Sequence, residues 1–398
     1  LPGKYNSGDS NYGRVTKGAA YALRGQVYMW QKNWEAAVDD FNSVAGCGFG
    51  LYTKAGATSY KQLLKIANEQ CEEMIFSVQC IKQYGYSNTR NITYGNRCTA
   101  GSMWNNYLPN PHFVESFETA TGEKFNWDNY LPGYSTMKEK ERVVFFLRDG
   151  LSAAEKERMT AYGADMSKYL DSGNEARIKA VYENRDPRLT QTIITPYATY
   201  NGSGNSVDHT FTSRWPYYGA DTDAPFDLRT DTQSHLYYLF RKFVAEGSSE
   251  MTNREKSPID LPIIRYATVV LGLAEALNEQ GKTAEAIEQV NLVRERAGVA
   301  LLNSNAATQV SGQDDMRTRI QNEYRWETAG EGVSFYEEMR WKTWKESKFN
   351  NADGTAGMKD IWGVITYNWT WGGDQYYVWP IPKHETDMNT SLTQNPGW

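Results

Sequence analysis

Aromatic side chains are concentrated in stretches of this chain that show no helical or strand periodicity. Tyr, Trp and Phe make up 14% of its 398 residues, a share that a core alone seldom needs. A flat ring with a polar edge suits a ligand surface that is open to water, and nearby amide or guanidinium groups can hydrogen-bond the rim of the same ligand. We predict that two such stretches hold the ligand-binding residues: Tyr84, Tyr86, Arg97, Trp104, Asn105, Tyr107, Arg214, Trp215, Tyr217 and Tyr218.

A third aromatic group lies near the C-terminus and comprises Trp369, Trp371, Tyr376 and Tyr377. The alternative interpretation of all three groups is that their rings pack loops onto helices. Four other tryptophans lie within helical patterns, and we assign them to the core or to helix packing: Trp30, Trp34, Trp341 and Trp344.

Residues for catalysis or for a cofactor are hard to find. The adjacent pair Glu337-Glu338 would point about 100° apart on a helix, and the sequence contains no GxSxG, Walker or HExxH motif. Asp221 and Asp223 could act as a hydrolase pair or, with Asp227, hold calcium, but acidic residues are common in loops. We therefore expect a protein that is not an enzyme and that has no cofactor and no metal.

The four cysteines do not form a CxxC pair, so a zinc site has little support. Small buried thiols and one or two disulfides both remain possible. The cysteines are Cys47, Cys71, Cys80 and Cys98.

Charge and hydropathy exclude two broad classes of protein. The formal net charge is -6 and no Lys/Arg-rich run occurs, which argues against a nucleic-acid partner and favours a neutral or weakly polar ligand. The longest apolar run, 266–274, is far shorter than the ~20 residues that a membrane-spanning helix needs.

Two helical hairpins supply the scaffold. Apolar and small residues recur at helical spacing in 15–30 and 34–44, and again in 265–278 and 283–296. Small residues at matching positions let the paired helices approach closely, which is typical of tetratricopeptide repeats. We predict a mainly α fold, a tetratricopeptide-like helical hairpin array with a loop-rich ligand-binding subregion.

The same pattern divides the chain, which we predict to be one domain, 1–398. The helical-repeat scaffold covers approximately 12–80 and 258–348, the ligand-binding subregion approximately 81–257, and a C-terminal tail 349–398.

Nine short segments, in order, resemble the SusD/RagB family of outer-membrane nutrient-binding lipoproteins. They are RVTKGAA at 14–20, EMIFSVQ at 73–79, NRDPRL at 184–189, LPIIRYA at 261–267, VRERAG at 293–298, GEG at 330–332, MRWK at 339–342, WPIP at 379–382 and QNPG at 394–397.

The resemblance implies a fold, a function and a location. Such proteins face outward from the cell outer membrane on a lipid anchor, bind glycans without cleaving them, and deliver them to a SusC-like TonB-dependent transporter. The family's lipobox cysteine and N-terminal helical portion have no counterpart here, so we expect that a segment carrying the lipid anchor is missing from this chain. The alternatives are a peptide ligand, a protein-interaction scaffold of the tetratricopeptide type, or a glycoside hydrolase.

Overall fold

A computed structural model describes residues 1–83, 85–99, 103–204, 207–218, 224–229, 235–250, 254–351 and 353–398. In this part of the chain the α-helices are α1 (Lys17–Trp30), α2 (Trp34–Ala45), α3 (Ser59–Leu63), α4 (Arg90–Tyr94), α5 (Pro111–Ser116), α6 (Glu139–Arg142), α7 (Ala153–Tyr162), α8 (Asn174–Glu183), α9 (Pro187–Thr192), α10 (Tyr266–Glu279), α11 (Thr283–Ala297), α12 (Gln313–Glu327), α13 (Ser334–Trp341), α14 (Trp344–Lys348) and α15 (Lys383–Met388). The strands are β1 (Met74–Val78), β2 (Ile193–Ile194), β3 (Thr199–Gly204), β4 (Val207–Thr212), β5 (Leu239–Phe240), β6 (Leu261–Arg265), β7 (Thr355–Lys359) and β8 (Ile365–Thr370).

The first hairpin, α1 with α2, forms where its spacing predicts it. Thr16 and Asn33 cap the two helices with side-chain oxygens that accept from backbone amides. A glycine is needed at position 25, because a Cβ there would lie 2.5 Å from the Phe41 ring. The small residue thus lets α1 and α2 approach closely around a buried aromatic side chain.

The second hairpin, α10 with α11, packs against α2, and α12 packs against α10. Helix α10 is buried along almost its entire length, which explains its nearly continuous apolar sequence. Tyr324 on α12 donates from its hydroxyl to the carbonyl oxygen of Thr268 (3.0 Å) and so ties α12 to α10. The predicted mainly helical fold is confirmed.

A network of buried ion pairs joins α11 and α12 to β6 and α9. Glu327 accepts from Arg188 (3.3 Å) and Arg265 (3.0 Å), and it also contacts Arg296. Charges this deeply buried are tolerated only when each is paired and hydrogen-bonded, and in this network the pairing is reciprocal. The members are Glu73, Asp186, Arg188, Lys242, Arg265, Arg294, Arg296, Glu323, Glu327 and Glu331.

All four strand pairs are antiparallel and two-stranded. In the β1–β6 pair, Val78 lies opposite Leu261, so the long segment between them leaves the helical scaffold and returns at one place. That segment contributes most of a second, aromatic core, which also includes Trp326 and Trp362 and in which Trp127 stacks on Tyr134 with ring centroids 4.5 Å apart.

Within the residues described, every helix is too short or too polar to cross a membrane. No disulfide joins any of the four cysteines, all of which lie in the described part of the chain, and Cys80 and Cys98 are buried.

Candidate ligand-binding groove

Two adjoining cavities of about 490 and 440 Å³ form one groove on the surface. Part of its lining comes from the segment 106–113, and much of the rest comes from α12, α13, α14 and the β7–β8 hairpin. The cavities share the lining residues Leu108, Pro109, Asn110, Phe240, Trp344 and Ser347. The groove thus brings together residues that lie more than 200 positions apart in the sequence.

The end of helix α4 fixes the chain at 104–107, where the segment 106–113 of the groove lining begins. The backbone amides of Trp104 and Tyr107 donate to the carbonyls of Ile92 (2.9 Å) and Thr93 (3.3 Å). The last carbonyls of a helix have no partner within the helix, so this short helix can bind the following chain segment and fix its path.

Tyr107 stands at the edge of the groove and is 60% exposed. Its ring meets Tyr94 edge to face at 5.7 Å, and Tyr94 in turn stacks on Phe240 at 4.7 Å. Tyr94 is held by its hydroxyl, which donates to the carbonyl of Gly330 (3.1 Å). Tyr107 is therefore a supported ring with a free face.

A break between α13 and α14 places Trp344 in the groove lining. Lys342 adopts a left-handed conformation (φ 62°), which ends α13 and lets α14 start in a new direction at Trp344. Trp344 lines both cavities, and its ring packs edge to face on Phe335 at 5.0 Å.

The β7–β8 hairpin adds a third aromatic ring to the groove. Trp369 lines the second cavity and is 47% exposed. Tyr367 lies two residues earlier on the same face of β8, with its ring centroid 4.8 Å from that of Trp369. The aromatic surface therefore continues beyond the groove along this strand.

Polar groups line the groove between the rings. Arg325 binds both carboxylate oxygens of Glu338 and donates to the Asn322 side chain (2.8 Å). Partial desolvation in the cavity lowers the pKa of His112 below its ordinary value of 6.5, which favours the neutral imidazole. These groups can both donate and accept hydrogen bonds.

The first predicted cluster lies partly in this groove. Tyr107 lines it, whereas Tyr86, Trp104 and Arg97 are exposed outside its lining. Asn105 is buried and left-handed (φ 35°), so it shapes the loop more than it presents a side chain. Tyr84 lies outside the described residues.

The second predicted cluster lies elsewhere, and its central ring is inside the protein. Trp215 is only 7% exposed and packs in the aromatic core beside Trp362. Arg214 pairs with the buried Asp227, and Tyr217 packs edge to face on Trp215. Tyr218 is exposed, with the Arg148 guanidinium 4.5 Å from its ring centroid.

An open aromatic surface at Trp215 was therefore the wrong expectation, because the core takes up that ring. Asp221 and Asp223, considered above as metal ligands or a hydrolase pair, lie outside the described residues. Within the described residues, no cluster of three or more His, Cys, Asp or Glu side chains could hold a metal ion.

Sequence reasoning missed several groove residues. Trp344 was assigned to packing because 335–344 has a helical pattern, and the break at Lys342 is not marked by a glycine or proline. The helical pattern also assigns Trp30 to packing. Trp30 lies outside the groove lining and is 55% exposed on α1. The sequence marks Trp369 as an aromatic candidate, but only the folded chain brings it into the same cavity as Tyr107.

The structure thus combines a helical scaffold with an aromatic groove that is open to solvent. The model of the SusD family matches residues 72–398, so this chain belongs to the SusD family. A SusD-like protein of Formosa agariphila is 36% identical over 81 residues, which make up 20% of this chain and 16% of that relative.

Solved structures share the fold. A SusD-like protein from Bacteroides fragilis has a TM-score of 0.68 at 23% identity, covering 100% of this chain and 68% of its own. A SusD-like carbohydrate-binding protein from the same species has a TM-score of 0.67 at 21% identity, covering 99% and 68%. This chain thus spans about two thirds of the length of these relatives.

Proposed function

We propose that the protein binds glycans in the groove between Tyr107 and Trp369. The observation that carries this proposal is that Tyr107, Trp344 and Trp369 line one open groove together with amide, imidazole and guanidinium groups. The family and a carbohydrate-binding relative of the same fold support the same class of ligand.

The groove suits the two kinds of surface that a sugar ring presents. Its C–H faces are apolar and pack on aromatic rings, while its hydroxyl groups need both donors and acceptors. Neutral His112 and the side chain of Asn110 offer both kinds of hydrogen-bonding group. We expect micromolar to millimolar affinity, about -4 to -8 kcal/mol.

Binding without cleavage is the second part of the proposal. Glycoside hydrolysis needs two carboxyl groups that flank the bond, one of them free to move a proton. Of the carboxylates in the described lining, Glu338 is held by Arg325 and by the Thr343 hydroxyl, which leaves Glu346 without a second member.

The third part concerns location and partner. We propose that the full-length protein is lipid-anchored at the outer membrane, faces the medium, and passes its glycan to a SusC-like TonB-dependent transporter. Family membership is the support for this part. Co-purification with a TonB-dependent transporter of the same organism, with loss of glycan uptake when this gene is deleted, would test it.

Calorimetry tests the binding proposal. Wild-type protein and the Trp369→Ala variant are titrated with a panel of soluble polysaccharides and peptides, and Trp379→Ala serves as the matched control. Trp379 is 70% exposed in the same tail but lies outside the groove lining. We expect a polysaccharide to bind wild type and the control alike and Trp369→Ala at least about fivefold more weakly.

Two results would contradict the proposal. Binding of peptides but of no polysaccharide would show that the ligand is a peptide. Equal polysaccharide binding by wild type, Trp369→Ala and Trp379→Ala would show that the site lies outside this groove.

A further inference from the structure

Two lysines from different elements lie in the second cavity of the groove. The Lys348 ammonium at the end of α14 lies 5.0 Å from the ring centroid of Trp344 and 5.3 Å from that of Trp369. Lys359 at the end of β7 lines the same cavity and donates to the side-chain oxygen of Asn350 (3.4 Å). Both side chains are half-buried.

In the described part of the chain, neither lysine forms an ion pair. Other half-buried lysines are paired: Lys61 lies 3.2 Å from Glu246, and Lys65 lies 2.6 Å from Glu250. A partly desolvated cation without a counter-charge is costly, so the cavity holds two positive groups that an anion would stabilise.

The surrounding charges do not supply that anion. Burial lowers the pKa of both lysines, and the more distant Glu115, Asp353 and Glu139 offset this only partly at Lys359. The described lining of this cavity contains two lysines and no carboxylate, although the protein as a whole carries a net charge of -6. The lining of this cavity is therefore positively charged, although the protein as a whole is negatively charged.

We infer that the groove selects acidic glycans, whose carboxylate or sulfate groups bind Lys348 and Lys359 while their sugar rings pack on Trp344 and Trp369. This inference rests on the proposed glycan-binding function and specifies its substrate class. It replaces the expectation of a neutral or weakly polar ligand, which follows from the net charge of -6. The net charge does not show where the two lysines lie.

An arrangement of cations beside aromatic rings suits this ligand class. A uronate or a sulfated sugar presents an anionic group at the edge of a ring whose faces remain partly apolar. An ammonium group over part of an indole face can bind the anion while the remaining indole surface contacts the sugar ring. Lys348 lies between two such indoles.

Calorimetry with charged and neutral polysaccharides tests the inference. Polygalacturonate and alginate supply carboxylates, chondroitin sulfate and carrageenan supply sulfates, and starch, xylan and dextran are neutral. The variants are Lys348→Gln and Lys359→Gln, and the control is Lys345→Gln, an exposed lysine of the same helix that lies outside the groove lining.

We expect binding confined to acidic polysaccharides and weakened by salt. Each groove variant should raise Kd about tenfold or more, as for a lost charge-assisted hydrogen bond, while the control stays within about twofold. Thermal unfolding of each variant verifies that the fold is intact. Whether the carboxylate or the sulfate set binds identifies the anion.

The outcomes separate this inference from the proposed function. If a neutral polysaccharide binds as tightly, with sensitivity to Trp369→Ala but not to the lysine variants, the inference is overturned and glycan binding stands. If acidic polysaccharides bind but Trp369→Ala and both lysine variants bind like wild type, the contact lies elsewhere and both proposals fail. Absence of binding to the entire panel also counts against both.

Discussion

The segments 104–107 and 214–218 have similar composition but opposite surroundings. Each combines aromatic rings with amide or guanidinium groups, yet Tyr107 is 60% exposed at the groove whereas Trp215 is 7% exposed in the core. The pairing of the basic side chains also differs. Arg214 pairs with buried Asp227, while Lys348 in the groove lining has no ion pair in the described part of the chain.

The backbone contacts explain the difference. The backbone amides of Trp104 and Tyr107 are bound to the end of α4, and the side chains of Trp104, Asn106 and Tyr107 are exposed although that of Asn105 is buried. The carbonyl of Trp215 instead accepts from the Tyr197 hydroxyl (3.3 Å), which itself is buried, so that segment is drawn into the core. Aromatic composition alone therefore does not identify a binding surface, because the same residue types are exposed in one segment and buried in the other.

The largest effect that distinguishes the buried segment 214–218 from the groove is on stability. Trp215→Ala removes a core side chain, and we expect it to lower the free energy of unfolding by about 3–5 kcal/mol. Trp369→Ala removes a surface ring and should change it by less than about 0.5 kcal/mol. Urea unfolding of both variants measures the two values, and a similar loss in both would contradict the comparison.

The next effect concerns the ion pair of the second segment. Arg214→Met leaves the fully buried Asp227 without its arginine, and we expect a loss of about 2–4 kcal/mol in the free energy of unfolding. Replacing Lys348 by Gln should cost less than about 1 kcal/mol, because no ion pair is broken. Equal losses would show that Lys348 has a structural partner.

Binding should show the reverse ranking. Tyr107→Ala and Trp344→Ala each remove a ring that lines the groove, and we expect Kd to rise about 5- to 30-fold, or 1–2 kcal/mol. Arg214→Met, studied below its unfolding temperature, should bind glycan like wild type. Calorimetry with a polysaccharide that binds wild type measures these ratios, and Tyr336→Ala, an exposed tyrosine outside the lining, is the control.

Smaller effects are expected where rings are exposed outside the groove. Trp104→Ala and Tyr86→Ala should raise Kd for a long polysaccharide less than about threefold, since rim contacts contribute little. The effect should vanish for short oligosaccharides that do not extend past Tyr107. A tenfold loss at Trp104 would extend the groove to that residue.

The smallest expected effect is that of pH. Because desolvation lowers the pKa of His112 below 6.5, the neutral ring predominates from pH 6.5 to 8, and Kd should change less than about twofold over that range. The folded protein binds this proton more weakly than the unfolded chain, so the stability contribution is present above about pH 6.5 and is lost as the pH falls through the lower folded value. His112→Gln should remove this dependence.

Much of the scaffold was predictable from local patterns. Helical spacing located both hairpins, and the small residue at Gly25 indicated a close approach that the Phe41 contact confirms. The nine family-like segments indicated the SusD family, which the match over 72–398 confirms. These features depend on near neighbours in sequence.

The groove was only partly predictable, because it depends on contacts across the fold. Tyr107 and Trp369 were both noted as aromatic candidates, but nothing local shows that they share a cavity. The turn at Lys342 moves Trp344 from a packing position into the groove, and a lysine gives no sign of a left-handed backbone. Lys348 and Lys359 are ordinary in the sequence and become distinctive only through what surrounds them.

The most direct test of the account is a crystal structure of the protein with an oligosaccharide bound. The account predicts sugar rings in the groove between Tyr107 and Trp369, with one ring on Trp344. A glycan bound at Tyr217 and Tyr218, or at any surface away from these three rings, would contradict it.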